Sequence, residues 1–97
     1  MRIDIPEQMK VISHYGVDAQ AMVHMEEAAE LIQAASKMRR AFSGEDMEAR
    51  KNARSNLVEE MADVLICIKQ MQEIYCVSDD EIQDMVNIKC KRQVSRL

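Results

Sequence analysis

Two glycines, one proline and three aromatic side chains, none of them tryptophan, are all the punctuation and large rings that a chain of 97 residues carries. So few turn formers do not suit a sheet fold, whose hairpins need them, and long helices are expected instead. Long apolar runs are missing too. None approaches the roughly 18 residues of a membrane helix. The opening "MRIDIPEQMK" has no apolar centre and does not read as a secretory signal. Cysteine is sparse: Cys67, Cys76 and Cys90 are odd in number and lack CxxC spacing, which fits free thiols in a reducing compartment. A soluble, cytoplasmic protein is therefore expected, with no membrane partner. An excess of positive charge is also absent. Thirteen Lys and Arg against seventeen Asp and Glu give a net charge of −4, which argues against a polymeric nucleic acid as partner. A small anion held through a metal ion is not excluded by that balance.

What is present is apolar and helical. Hydrophobic residues make up 47% of the chain, enough to fold. The length suits one domain, residues 1–97, whose modest core would gain from association with further copies. Four helices are expected. The first runs from about Ile5 to Tyr15, with Asp4 and Glu7 as a capping pair, Pro6 in the first turn and Gly16 as its stop. The second starts after Asp18 and runs to about Phe42. "SGED", residues 43–46, breaks the chain. The third begins within "MEARKNARSN" and runs to about Cys76. "SDDE", residues 78–81, is a capping box that opens the fourth, which ends in the basic "KCKRQVSRL".

Two stretches carry the chemistry. "HMEEAAELIQ" (24–33) and "VEEMADVLIC" (58–67) each place adjacent glutamates three residues before another acid. At about 100° per residue, Leu57, Met61, Val64, Leu65, Ile68, Met71 and Tyr75 form an apolar stripe on the third helix, with Glu60, Asp63, Cys67 and Ile74 along one edge. Packing is the expected role of Tyr75 and of Cys67. On the second helix Glu27 and Glu30 share a face with Val23, Leu31, Ala34, Met38 and Ala41. Gln20 and His24 flank Glu27. A separate face of Ala21, Met25, Ala28, Ile32 and Ala35 suggests a subunit interface.

Set antiparallel, the two helices let Glu27, Glu30, Glu60 and Asp63 converge. Four carboxylates at close range need either protons or a cation. An all-oxygen set suits Mg²⁺, with Mn²⁺ as a substitute. Neither motif has the Glu-x-x-His of di-iron bundles, and no His/Cys cluster suits zinc. Acidic pairs also decorate ordinary solvated helix faces, so this alternative stays open.

The ordered set Glu26-Glu27-x-x-Glu30 and Glu60-x-x-Asp63 resembles the signature of the MazG-like all-α nucleoside triphosphate pyrophosphohydrolases. "YGVDAQAMVHMEEAAELIQAASK", "VEEMADVLICI" and "NIKCKRQVSRL" are similar to that family's second, third and closing helices, so the likeness spans about residues 15–97. The gap from Glu30 to Glu60 is on the long side for the family. The resemblance implies an all-α, four-helix bundle completed by oligomerisation, as a homodimer or homotetramer. It implies Mg²⁺ and hydrolysis of a nucleoside triphosphate between the α and β phosphates, giving a monophosphate and pyrophosphate. Nucleotide-pool housecleaning is the family's usual theme. Metal would be held by Glu27, Glu30, Glu60 and Asp63, with Glu26, Glu27 and Glu60 as candidate catalytic residues. Lys37, Asn87, Lys89 and Arg92 are candidate substrate contacts, as is His24 beside the Glu27 face. The competing expectations are a non-catalytic helical dimerisation module and a nucleotide-sensing module.

Overall fold

A computed structural model describes all 97 residues, Met1–Leu97. The protein is all-helical: α1 (Gln8–Tyr15), α2 (Val17–Ser43), α3 (Met47–Tyr75) and α4 (Asp79–Ser95). No helix is long and apolar enough to cross a membrane. The long antiparallel hairpin of α2 and α3 is the body of the fold, α1 packs across both, and α4 packs on none of the other helices. Within one chain, therefore, three helices pack together and a four-helix bundle does not close.

The hairpin seam follows a heptad rhythm. On α2 the residues turned inward are Gln20, His24, Glu27, Leu31, Ala34, Met38 and Ala41. On α3 they are Ala53, Asn56, Glu60, Asp63, Cys67, Gln70 and Ile74. Steps of three and four alternate throughout, the spacing that keeps two helices in contact along their length. The seam runs along what the helical wheel of α3 makes the edge of its apolar stripe. The stripe itself stays largely open: Met61 is 49% exposed, and Tyr75, expected to pack, is 59% exposed. Ile32 and Met25, on the second apolar face of α2, are exposed as well.

Each helix end has a local cause. Gly16 closes α1 at φ +91° and donates its N–H to Ile12 O at 2.8 Å; a side chain there would be strained. Asp46 caps α3, accepting from the N–H groups of Glu48 and Ala49. Ser78 and Glu81 form the expected capping box on α4. The backbone N–H and hydroxyl of Ser78 hold the Glu81 carboxyl below its ordinary pKa. The start of α1 departs from expectation. It begins at Gln8, not near Ile5, and Glu7 stands at φ +60° with no side-chain cap. Glu7 instead pairs with Lys10 at 2.9 Å, and residues 1–7 form an arm without regular secondary structure. At the other end, Cys76 terminates α3 in the left-handed region at φ +56°.

Arg50 ties the hairpin shut at its loop. Its guanidinium donates to the carbonyls of Ala41 (3.3 Å), Phe42 (2.8 Å) and Gly44 (2.6 Å), and lies 5.4 Å from the centre of the Phe42 ring. Carbonyls at a helix C-terminus lack intrahelical partners and attract a cation. Replacing Arg50 by alanine is expected to cost about 1–3 kcal/mol, because several charge-assisted hydrogen bonds are lost together. Urea denaturation of the two proteins measures it.

Candidate functional site

Carboxylates occupy the middle of the α2/α3 seam. Oxygens of Glu27, Glu30 and Glu60 lie within 4.8 Å of one another. Asp63 stands beside them, close enough to act on Glu27 by its charge and by a hydrogen bond. Heptad spacing explains the placement. Glu27 is a seam position on α2, while Glu60 and Asp63 are consecutive seam positions on α3. Ala34, almost wholly buried, falls opposite Glu60 in the same register, and its small side chain leaves room there. Glu30 reaches in from the rim and is exposed.

Their environment favours the neutral form. The Glu27 carboxyl is pushed up from 4.5 to about 7, first by loss of water, then by the charges of Asp63, Glu30 and Glu60. Glu60 is raised for the same first reason and by Glu30 and Asp63. Glu30 also hydrogen-bonds Glu60, which favours a proton held between them. One oxygen of Glu27 and one of Glu60, both Oε2, are buried and have no donor other than a proton shared with the neighbouring acids. Buried polar atoms are seldom left so. A proton or a cation would satisfy them, and the converging oxygens of Glu27, Glu30 and Glu60, with Asp63 beside them, fit a hard divalent ion. Cys67, buried one turn from Asp63, is pushed up to about 11 by burial and by Glu27 and Asp63. It remains a thiol at neutral pH and packs, as expected, having no thiolate to offer.

The remaining candidates fall in three places. Glu26 is exposed on the outer side of α2. Lys37 is exposed two turns beyond Glu30, and forms no ion pair. Asn87, Lys89 and Arg92 lie on α4, which packs on no other helix, so the chain does not itself bring them to the carboxylates. Asn87 accepts a hydrogen bond from Gln83 within α4 at 3.0 Å. His24 is buried, and its Nε2 lies 2.8 Å from Gln70 Oε1. Gln70 in turn donates to Gln8 at 2.8 Å. Gln8 and Gln70 escaped the sequence reading. The signal available for Gln70 was its spacing, three residues past Cys67 and seven past Asp63.

No protein-family model, curated protein or solved structure matches the chain. The reading of this site therefore rests on its own residues.

The raised Glu27 pKa has a definite sign for stability. Between about 4.5 and 7 the folded chain holds a proton on Glu27 that the unfolded chain has lost. Stability then falls as pH rises through that window and is lowest above it. Metal-free protein is expected to melt at a lower temperature at pH 7.5 than at pH 5. In Glu27→Gln the decline should be markedly shallower, as followed by circular dichroism in EDTA.

Proposed function

We propose that this chain is a Mg²⁺-dependent nucleoside triphosphate pyrophosphohydrolase. It would cleave between the α and β phosphates and release a monophosphate and pyrophosphate, in the manner of the MazG-like family its motifs resemble. The observation that carries this reading is the pair of buried carboxylate oxygens on Glu27 and Glu60, in a cluster of three acids with Glu30 and with Asp63 beside it. An ordinary solvated helix face does not bury acceptors without donors.

In this reading Glu27, Glu30, Glu60 and Asp63 hold Mg²⁺, or Mn²⁺ in its place. A divalent ion bound there supplies charge neutralisation for the phosphates and a more acidic water. The chain's own groups do the rest. Glu27 gives up its proton as the site fills, since a nearby cation favours the ionised carboxylate. Glu26 is the candidate to take a proton from water, and it would have to act from the exposed outer side of α2. Lys37 offers a cation on the same helix. Lys89, Arg92 and Asn87 would join the phosphates only if α4 were brought over the seam, which a homodimer or homotetramer could do.

The shape of the single chain supports such an assembly. Its accessible surface is 7920 Å², whereas a compact monomer of 11.2 kDa exposes about 5,700 Å². Its radius of gyration is 16.3 Å, against about 12.5 Å for a compact chain of this length. A purely helical dimerisation module would share that openness, and a nucleotide-sensing module would share the site as well. Turnover separates them from the enzyme.

The test is pyrophosphate release from a panel of canonical and modified nucleoside triphosphates, with Mg²⁺, with EDTA, and with Glu60→Gln. The expected result is Mg²⁺-dependent release by an oligomer, reduced on the order of 10²-fold or more in the variant. Binding without release would leave the sensing module, and neither would leave the dimerisation module.

A further inference from the structure

One polar chain, buried at His24 and Gln70 and exposed at Pro6, crosses the seam beside the carboxylates and has no part in the proposed chemistry. It begins at the carbonyl of Pro6, which can only accept. Gln8 Nε2 donates to it at 3.0 Å. The Gln8 amide oxygen therefore faces Gln70 and accepts from Gln70 Nε2 at 2.8 Å. That turns Gln70 Oε1 toward His24 and makes the imidazole Nε2 the donor, at 2.8 Å. Every member's orientation follows from the first carbonyl. Gln70 is 3% exposed and His24 8%.

The pair sits at a telling place in the register. His24 and Gln70 join α2 to α3 by a buried side-chain hydrogen bond at the open end of the hairpin. One seam position inward from them stand Glu27 and Cys67, and the next on α3 is Asp63. Beyond the cluster, at the far end of the hairpin, Arg50 ties the helices through the loop carbonyls. The acids thus lie between two clamps. Between the clamps the seam sets these acids among Leu31, Ala34, Met38, Asn56 and Cys67, so its apolar contacts are few.

We propose that His24 and Gln70 are positioning residues that hold the seam closed in the register where the four carboxylates converge. A buried polar pair can do this because any other register leaves both partners buried and unsatisfied, as a single buried asparagine fixes register in coiled coils. Gln8 steadies the pair from α1 without being needed for register. The consequence for cation binding rests on the reading of the carboxylates as a metal site; the closure of the seam does not.

Two readouts on the full-length chain separate these. Spin labels at Met22→Cys and Glu73→Cys, both exposed, report the helix separation in a background with Cys76 and Cys90 replaced by serine. Mn²⁺ titration followed by its free-ion resonance reports affinity. At pH 8, Gln70→Met and His24→Phe each sever the pair while leaving helicity intact. Both are expected to lengthen and broaden the label distance and to weaken Mn²⁺ roughly tenfold or more, the usual cost of removing a supporting partner. His24→Gln keeps a donor to Gln70 and is expected to restore both readouts, while Gln8→Met leaves both near those of the unmodified protein. Folded severed variants with an unchanged label distance would overturn the proposal. So would Gln8→Met disturbing the distance as much as Gln70→Met does. If the unmodified protein bound no Mn²⁺, the metal reading would fall, and the label distances would still decide the positioning role.

Discussion

Like charges facing one another inside a helix seam set the terms for this protein. Glu27, Glu60 and Asp63 occupy inward positions of the α2/α3 heptad, with Glu30 at the rim. Inward positions of a helical hairpin ordinarily carry the apolar side chains that hold it together. Here they carry acids whose ionisation opposes closure. The structure answers in three ways: Glu27 and Glu60 favour their neutral forms, the loop end is tied by Arg50, and the open end is tied by His24 and Gln70. A chain selected only for stability would have placed leucine at those positions, because apolar replacement of buried charges is often stabilising.

The apolar residues that the seam does not use lie on the outside. The α3 stripe and the arm enclose an open groove of about 810 Å³, with Met1, Ile3, Ile5, Val58, Met61 and Leu65 among its lining. Only six residues of the whole chain are buried. The second apolar face of α2 and the detached α4 add to this open surface. Polar seam and apolar exterior are two sides of one allocation, since each helix has a limited number of faces.

Much of this was legible in the sequence, and the failures have physical reasons. The helix count, the capping box at Ser78 and the Gly16 stop followed from residue types with strong local preferences. The convergence of Glu27, Glu30 and Glu60 followed from i,i+3 spacing on two helices joined by a short break. The start of α1 did not follow. Asp4 and Glu7 look like a capping pair, but the helix starts only at Gln8, Glu7 stands in the left-handed region, and its side chain pairs with Lys10. The inward face of α2 was legible too, as Glu27, Leu31, Ala34, Met38 and Ala41 with Gln20 and His24 beside them. On α3 apolar periodicity favoured the stripe through Met61 and Tyr75 and left Glu60, Asp63, Cys67 and Ile74 as its edge, whereas that edge, with Gln70, is the seam. The relay through Gln8 depends on a contact between residues 62 apart in sequence, which no local pattern encodes.

The central claim is that these carboxylates trade a proton for a divalent cation. Calorimetric titration with Mg²⁺, repeated in buffers of different ionisation enthalpy, tests it most directly. With Glu27 at about 7, binding at pH 6.5 is predicted to release protons, and the release should fade above pH 8, where the carboxyl is already ionised. Binding with no proton release at pH 6.5, or no binding at any pH, would contradict the account.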